Sequence, residues 1–367
     1  MEQRQQRSRS SFSYDLTSEI LLRLPAKSVG RFRCVSKLWL SITTDPFFIK
    51  TFGATRPSVL LCSIESHNLF VTSTHTHDQS SIRSYSSSQR IHPYPMKFPG
   101  CFSSMDSVHR LICIEDTTKP LVWNPTTGQF LPLPTPNMSS RSFDMFLGYD
   151  SFEGKHKVVC LPYIKTCYFC QVFTLGSGQE SWKTVRTKLK HRHRGHAFGQ
   201  SINGVIYYLA YNTNNDRVIM SFDVRSEIFR MLDLPSSIHY RGVLISYEGR
   251  LGCIDGDNKT RLWILEDADK HKWLFQDFRV PLHMWTLNLI SSEENNYFQD
   301  FYNRFELKGC THAGEFIYVP SRFHKSSSFI VFYDPVRNSC RRLKFEGSVD
   351  ELNMHVFPNH IETLMSL

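Results

Sequence analysis

The sequence has no apolar run approaching the roughly 20 residues of a membrane-spanning helix, so a protein that crosses a bilayer in this way is not expected. Its first residues, MEQRQQRSRSSFSYD, hold no apolar h-region, which argues against a secretory signal and for an intracellular protein, cytoplasmic, nuclear or both. Ten cysteines are scattered along the chain, yet only Cys167-Tyr-Phe-Cys170 has CxxC spacing, and no second pair follows at zinc-site spacing. In a reducing compartment such residues act as small hydrophobes in strand packing, so no metal site is expected. There is no GxSxG elbow, HExxH helix or GxGxxG loop. The nearest phosphate loop, Gly148 to Gly154-Lys155, has one residue too many and His156 where Ser or Thr is required. No catalytic residue and no cofactor are expected, and the chain is not read as an enzyme. The formal charge of +9 comes without an RNA-recognition, zinc-finger or basic-zipper pattern, which disfavours nucleic acid as the partner.

What is present is material for a large core. Of 367 residues, 41% are apolar and 28 are Phe, and the length predicts about two domains. Residues 1–12 read as a disordered basic tail (Arg4, Arg7, Arg9). Leu16, Ile20, Leu21 and Leu24 then follow a helical period behind Asp15, which can cap them, and Pro25 cannot continue that helix. Ser28 can cap a short second helix carrying Val29, Phe32 and Val35, and a third stretch carries Leu38, Trp39 and Ile42. Asp45-Pro46 supplies a cap and a first-turn proline for a fourth helix through Phe47, Phe48 and Phe52. So small an all-α unit buries little surface and is expected to lean on a partner.

The run Asp15-Leu-Thr-Ser-Glu-Ile-Leu-Leu-Arg-Leu-Pro-Ala-Lys-Ser-Val followed by Arg31-Phe-Arg-Cys-Val-Ser-Lys-Leu-Trp39 resembles an F-box, placed here at residues 13–52. The resemblance implies binding of a Skp-family adaptor and, through it, cullin and RING subunits of a ubiquitin ligase. The contacts it implies are Leu16, Ile20, Leu21, Leu24, Pro25, Cys34, Val35 and Trp39. The family usually has Pro just before the first helix; Phe12-Ser13 stands there in this chain, so the lead-in is less pre-organised.

From about Val59 the pattern becomes short apolar runs separated by Gly, Asn, Asp and Pro, the signature of β-hairpins. A turn and an apolar strand recur at Gly154, Asn203-Gly204, Glu248-Gly249 and Ala313-Gly314, with an earlier copy in which Arg110 replaces Gly. A second limb places a turn residue six positions before a bulky one: Asn124 and Phe130, Gly176 and Trp182, Asp223 and Phe229, Asp267 and Trp273, and, with a smaller residue, Asp334 and Cys340. Two hairpins in about 45 residues make one propeller blade. The third unit predicts strands near Phe198–Ile202, Val205–Ala210, Val218–Phe222 and Ile228–Asp233, and residues 58–95 with the stretch around Met354–Phe357 make a composite blade. The expected architecture is a small all-α F-box followed by an all-β domain, a β-propeller of about six blades over 58–367. A β-sandwich does not explain the six-residue separation.

Trp123-Asn-Pro-Thr-Thr-Gly128, Gly148-Tyr-Asp150, Phe222-Asp-Val-Arg-Ser-Glu-Ile-Phe229, Tyr247-Glu-Gly249 and Trp263-Ile-Leu-Glu-Asp267 resemble the F-box-associated domain of the large plant family. The two resemblances together imply a substrate adaptor: the F-box fixes the chain to the ligase, and the propeller holds an unknown protein substrate. The alternative is a free-standing protein- or nucleic-acid-binding propeller with no ligase role. Connections after the second strand of each blade and between blades (Thr187–Ala197 among them) are long and variable, so the substrate is expected there, with Tyr163, Arg192, Arg194 and Tyr211 as candidates. His191-Arg-His-Arg-Gly-His196 reads as a solvated inter-blade loop rather than a metal or anion site.

Overall fold

Residues with helical periodicity and capping signals form four short helices, α1 (Tyr14–Leu22), α2 (Ala26–Phe32), α3 (Lys37–Thr44) and α4 (Pro46–Ala54). The computed structural model describes residues 14–24, 26–54, 57–65, 68–75, 89–90, 107–115, 120–138, 143–163, 166–178, 181–193, 199–235, 238, 242–254, 261–278, 305–320, 328–345 and 354–361. The Asp45-Pro46 start is as the sequence predicts: Asp45 Oδ1 accepts from the amides of Phe47 (2.8 Å) and Phe48 (3.0 Å). Ser36 caps α3 by accepting from the Trp39 amide at 3.1 Å. Two expected caps differ. Asp15 lies inside the first turn of α1, where a carboxylate still opposes the positive helix end, and Ser28 lies inside α2, which starts two residues earlier. Leu21, Val29, Ile42, Phe48 and Phe52 form the core of the helical unit, with Leu24, Phe32 and Trp39 packed on it.

Among the described residues all later elements are strands, in six antiparallel sheets. Sheet 1 joins β1 (Pro57–Glu65), β2 (Asn68–His75) and β3 (Gln89–Arg90) to the last strand, β23 (His355–Ile361). Sheet 2 is β4 (Ile112–Glu115), β5 (Pro120–Asn124) and β6 (Gln129–Pro132). Sheet 3 is β7 (Phe143–Asp150), β8 (Lys155–Pro162), β9 (Cys167–Thr174) and β10 (Lys183–His191). Sheet 4 is β11 (Gln200–Ile202), β12 (Val205–Tyr211), β13 (Arg217–Asp223) and β14 (Ile228–Asp233), close to the predicted spans. Sheet 5 is β15 (Val243–Tyr247), β16 (Arg250–Ile254), β17 (Arg261–Asp267) and β18 (Lys272–Asp277). Sheet 6 is β19 (Phe305–Cys310), β20 (Phe316–Pro320), β21 (Ser328–Asp334) and β22 (Ser339–Phe345).

Apolar clusters bridge each sheet to the next. Cys62 and Phe357 of sheet 1 meet Ile112 and Trp123 of sheet 2; Cys113 and Val122 meet Met145 and Val158 of sheet 3. Phe146 and Cys170 meet Tyr208 and Phe222 of sheet 4, and Ile219 and Leu232 meet Leu244 and Cys253 of sheet 5. Ile245 and Tyr247 meet Phe316 and Tyr318 of sheet 6, whose Ile317 and Val319 meet Val59 and Val356 of sheet 1. The ring therefore closes on itself, and the domain is an all-β propeller. Closure uses both ends of the β region, because β23 pairs with β1 in the register Leu60↔Phe357, Leu61↔Val356 and Cys62↔His355. Five sheets are complete four-stranded blades, against the expected count of about six; sheet 2 has three strands among the described residues, with the isolated bridge Val108↔Leu111 beside them.

The six-residue separation has a local cause. The Oδ1 atoms of Asn124, Asp223, Asp267 and Asp334 accept from backbone amides two or three residues ahead (Thr126 at 3.0 Å, Ser226 at 2.7 Å, Asp269 at 3.0 Å, Val336 at 2.9 Å), bending the chain into a tight turn. Across the hairpin Trp123 pairs with Phe130, Phe222 with Phe229, Leu265 with Trp273 and Tyr333 with Cys340. Gly176 and Trp182 do not belong to this set. Val172 pairs with Lys183, so the connection is longer, and the Trp182 indole instead donates to the Pro134 carbonyl at 2.8 Å. The turn with Arg110 keeps the geometry of its glycine counterparts: His109 and Arg110 have φ of 41° and 83°, against 50° and 79° at Asn203-Gly204. An L-residue in this left-handed region costs about 1–2 kcal/mol.

Candidate functional site

Two surfaces bear on function. On α1, Leu16 and Ile20 stand one turn apart and are 48% and 40% exposed, while Leu21 beside them is fully buried. Val35 is 60% exposed, Cys34 is also exposed, and both follow α2 in a turn closed by the Val35 amide donating to the Phe32 carbonyl at 3.0 Å. Of the expected adaptor contacts, Leu16, Ile20, Cys34 and Val35 are thus open to solvent. Trp39 and Leu24 are half-buried, Trp39 edge-on to Phe32 with ring centroids 5.0 Å apart. Leu21 belongs to the core, and Pro25 lies outside the described residues.

The second surface lies where sheets 3 and 4 meet. Arg192 and Tyr211 exchange backbone hydrogen bonds (2.8 and 2.7 Å), and the guanidinium lies 5.3 Å from the Tyr211 ring while donating to Asn215 Oδ1 at 2.6 Å. Tyr163, on the connection after β8, is exposed and meets the His193 ring edge-on at 5.9 Å. Arg192 and Tyr211 are therefore in contact, and Tyr163 meets the histidine that follows Arg192 in the chain; Arg194 lies outside the described residues.

The His191–His196 run is not a solvated loop over its described part, since β10 runs to His191 and both His191 and His193 are buried. His193 Nδ1 donates to Asp144 Oδ2 at 2.8 Å, and its Nε2 faces the Pro162 carbonyl oxygen at 3.0 Å. Both ring nitrogens thus face an oxygen acceptor. His191 differs. Its Nδ1 donates to the Leu189 carbonyl (2.9 Å) and its Nε2 accepts from the Tyr208 hydroxyl (2.8 Å), as a neutral ring does, and burial lowers its pKa. These two rings, missed as position-setting residues, pin the strand end that presents Arg192. Their signal in the sequence is the alternation Val185, Leu189, His191, His193, obscured by the cations between.

The remaining buried polar groups tie blades together. Lys157 of β8 is buried; its Nζ donates to the Val224 carbonyl (2.8 Å) and Glu227 Oε1 (3.1 Å) of sheet 4 and lies 3.9 Å from Asp150. Burial opposes ionisation of Glu227, but hydrogen bonds from Lys183 and Lys157 outweigh it and hold its pKa below the usual value. Cys167 and Cys170 sit in the core between sheets 3 and 4, and burial pushes the Cys167 thiol up to about 11 and that of Cys170 higher. Both are neutral thiols near pH 7, poor nucleophiles and poor metal ligands. Among the described residues no helix is long and apolar enough to cross a membrane.

Residues 10–51 match the F-box domain, and residues 58–361 match the F-box associated beta propeller domain. The chain is 48% identical to the Arabidopsis thaliana protein At1g47790, over 98% of this chain and 94% of that one. It is 36% identical to F-box protein At1g48060 of the same plant, over 97% and 93% of the two chains. Among solved structures, a luciferin-regenerating enzyme aligns with 70% of this chain and 90% of its own, at 10% identity and a TM-score of 0.39. With helices and propeller each matched over nearly their whole length, the chain belongs to the plant F-box proteins that carry an F-box associated beta propeller domain.

Proposed function

We propose that this chain is the substrate-recognition adaptor of a Skp–cullin–F-box ubiquitin ligase, working in the cytoplasm, the nucleus or both. Proteins of this family are in general adaptors rather than enzymes. Residues 13–52 form the F-box and bind a Skp-family adaptor; residues 58–367 form the propeller, with sheet 2 as its sixth blade, and hold a protein substrate. Ubiquitin transfer takes place on other subunits, and the chain contributes by raising the effective concentration of substrate near them.

The observation that carries this reading is the solvent-facing set Leu16, Ile20, Cys34 and Val35 on a unit that already has its own core. Leu16 and Ile20, one turn apart on the same helix and outside a finished core, support a surface that another protein covers. On the propeller, the contact of Arg192 with Tyr211 and the exposure of Tyr163 at neighbouring His193 support substrate docking there, with Arg194 close by in sequence, because Tyr and Arg are favoured interface anchors.

The test separates surface from core. Leu16→Asp with Ile20→Asp is expected to abolish capture of a purified Skp-family adaptor while the helical circular dichroism is unchanged. Leu21→Ala is expected to lose both, since truncating a buried Leu costs about 2–5 kcal/mol in a unit with little to spare. Undiminished capture by the double Asp variant would overturn the assignment.

A further inference from the structure

The outermost strand of sheet 3 has a feature that the ligase reading leaves unused. From Thr184 to His193 burial alternates residue by residue. Val185, Thr187 and Leu189 are half-buried and His191 and His193 buried, whereas Thr184, Arg186, Lys188, Lys190 and Arg192 are exposed. Alternate residues of a strand face opposite sides. The inward set packs on the core between sheets 3 and 4, where Val185 and Leu189 join it, and the outward set lines up four cations. Within its sheet β10 is bonded to β9 alone. Between Arg186 and His191 its register shifts, so that the segment carrying Lys188 and Lys190 bulges opposite the exposed Tyr168.

On the outer strands of sheets 4, 5 and 6 a cation meets a carboxylate. Arg230 of β14 pairs with Asp269, Lys272 of β18 with Glu266 and Arg341 of β22 with Glu315. At the start of β10 itself, Lys183 pairs with Glu227 at 2.6 Å. Arg186, Lys188 and Lys190 meet no carboxylate among the described residues. Charged side chains do guard edge strands against pairing with other chains. Ion pairs accompany such charges at Arg230, Lys272 and Arg341. By contrast, β10 sets three cations in a row without one among the described residues, more like charge than edge protection needs.

We propose that the outward face of β10, from Arg186 to Arg192 with Tyr168 beside its bulge, is a docking surface for an acidic segment of a protein partner. The inference rests on the adaptor reading, which makes the occupant a polypeptide; the unmatched charge makes it an acidic one. The surface ends at Arg192, whose guanidinium lies against the Tyr211 ring, so an acidic segment lying along β10 delivers its neighbouring residues to that pair. A local excess of one sign also speeds encounter and makes it salt-sensitive.

The full chain is titrated with a fluorescent oligoglutamate peptide, at low and at raised salt. Arg186→Ser, Lys188→Ser and Lys190→Ser together are expected to weaken binding about tenfold and to reduce its salt dependence. Arg230→Ser, Lys270→Ser and Lys272→Ser together remove the same net charge from sheets 4 and 5 and are expected to leave the affinity within about twofold. Equal loss in both triple variants, no binding by the unmodified chain, or tighter binding of an oligouridylate than of oligoglutamate would each overturn the proposal. Capture of the Skp-family adaptor is measured on the same proteins. Its retention in the β10 variant, with oligoglutamate binding unaffected, sinks the docking surface but not the ligase reading. Failure of capture in the unmodified chain sinks the ligase reading whatever β10 binds.

Discussion

The helical unit and the propeller handle apolar surface in opposite ways. Of the fourteen large hydrophobic side chains exposed among the described residues, seven (Tyr14, Leu16, Ile20, Val35, Leu38, Leu40, Phe47) lie in residues 14–54 and seven in the whole of the propeller. Geometry explains the contrast. A ring of sheets covers both faces of every blade with its neighbours, and β23 closes the last gap, so little apolar surface is left over. Four helices of seven to nine residues enclose one small core and leave the far side of α1 and the turn after α2 uncovered. The helical unit thus keeps apolar side chains at its surface of a kind that the closed ring largely covers.

The largest expected effect that would sharpen this comparison is at Lys157. Lys157→Met leaves Glu227 and Asp150 without their buried cation, a loss of about 3–5 kcal/mol for a broken buried pair. Urea unfolding followed by tryptophan fluorescence is expected to show the propeller destabilised by that amount while the helical signal melts as before. If both units melted together, the separation drawn here would fail.

Acid is the second way to set the two apart. Burial depresses His156, His355 and His360 to about 4, from about 6.5 when exposed. Neutral histidine is thus favoured in the fold, and the unfolded chain binds more protons between these two values. The stability they contribute is complete above about pH 6.5 and is lost as pH falls toward 4, up to about 3 kcal/mol for the fully buried His360. Residues 14–54 contain no histidine, so thermal melts between pH 7 and 5 are expected to move the propeller and not the helices. A propeller melting temperature that is flat over this window would contradict the burial of these rings. The smallest effect is at the strained turn. Arg110→Gly is expected to raise propeller stability by under about 1 kcal/mol, because relief of the left-handed strain slightly exceeds glycine's added unfolded-state freedom. An unchanged or lower urea midpoint would show that contacts of the arginine offset its strain.

What could be read from the sequence was governed by neighbours along the chain. Asp45 caps α4 through amides two and three residues ahead, and Asn124, Asp223, Asp267 and Asp334 fold their turns the same way, so their type and spacing suffice. Gly176 shows the limit of that approach, since its six-residue match to Trp182 is numerical and the ladder runs through Val172 and Lys183 instead. In α1 the helical period groups Leu16, Ile20, Leu21 and Leu24 without saying which turn inward, and both Leu21 and the exposed pair were expected at the partner surface. In sequence His191 and His193 read as part of a solvated loop, because no acidic or cysteine ligands accompany them. A period of two was present there, but which side of a strand is covered depends on the sheet that packs against it.

Turn chemistry, caps and the alternation of short strands therefore come from residues a few positions apart, and they were enough to give four helices followed by a repeating β domain. Ring closure, the inward placement of Leu21 and the burial of Lys157 and His193 depend on segments far apart in the chain. Phe357 finds Leu60, Lys157 finds Glu227 70 residues on, and His193 finds Asp144 49 residues back. A lone lysine or histidine in sequence is a solvated charge by default, since burying it unpaired costs several kcal/mol. Only the packed blades bring the carboxylates and carbonyls that make such burial stable, and the same packing leaves Arg186, Lys188 and Lys190 of β10 without a carboxylate among the described residues.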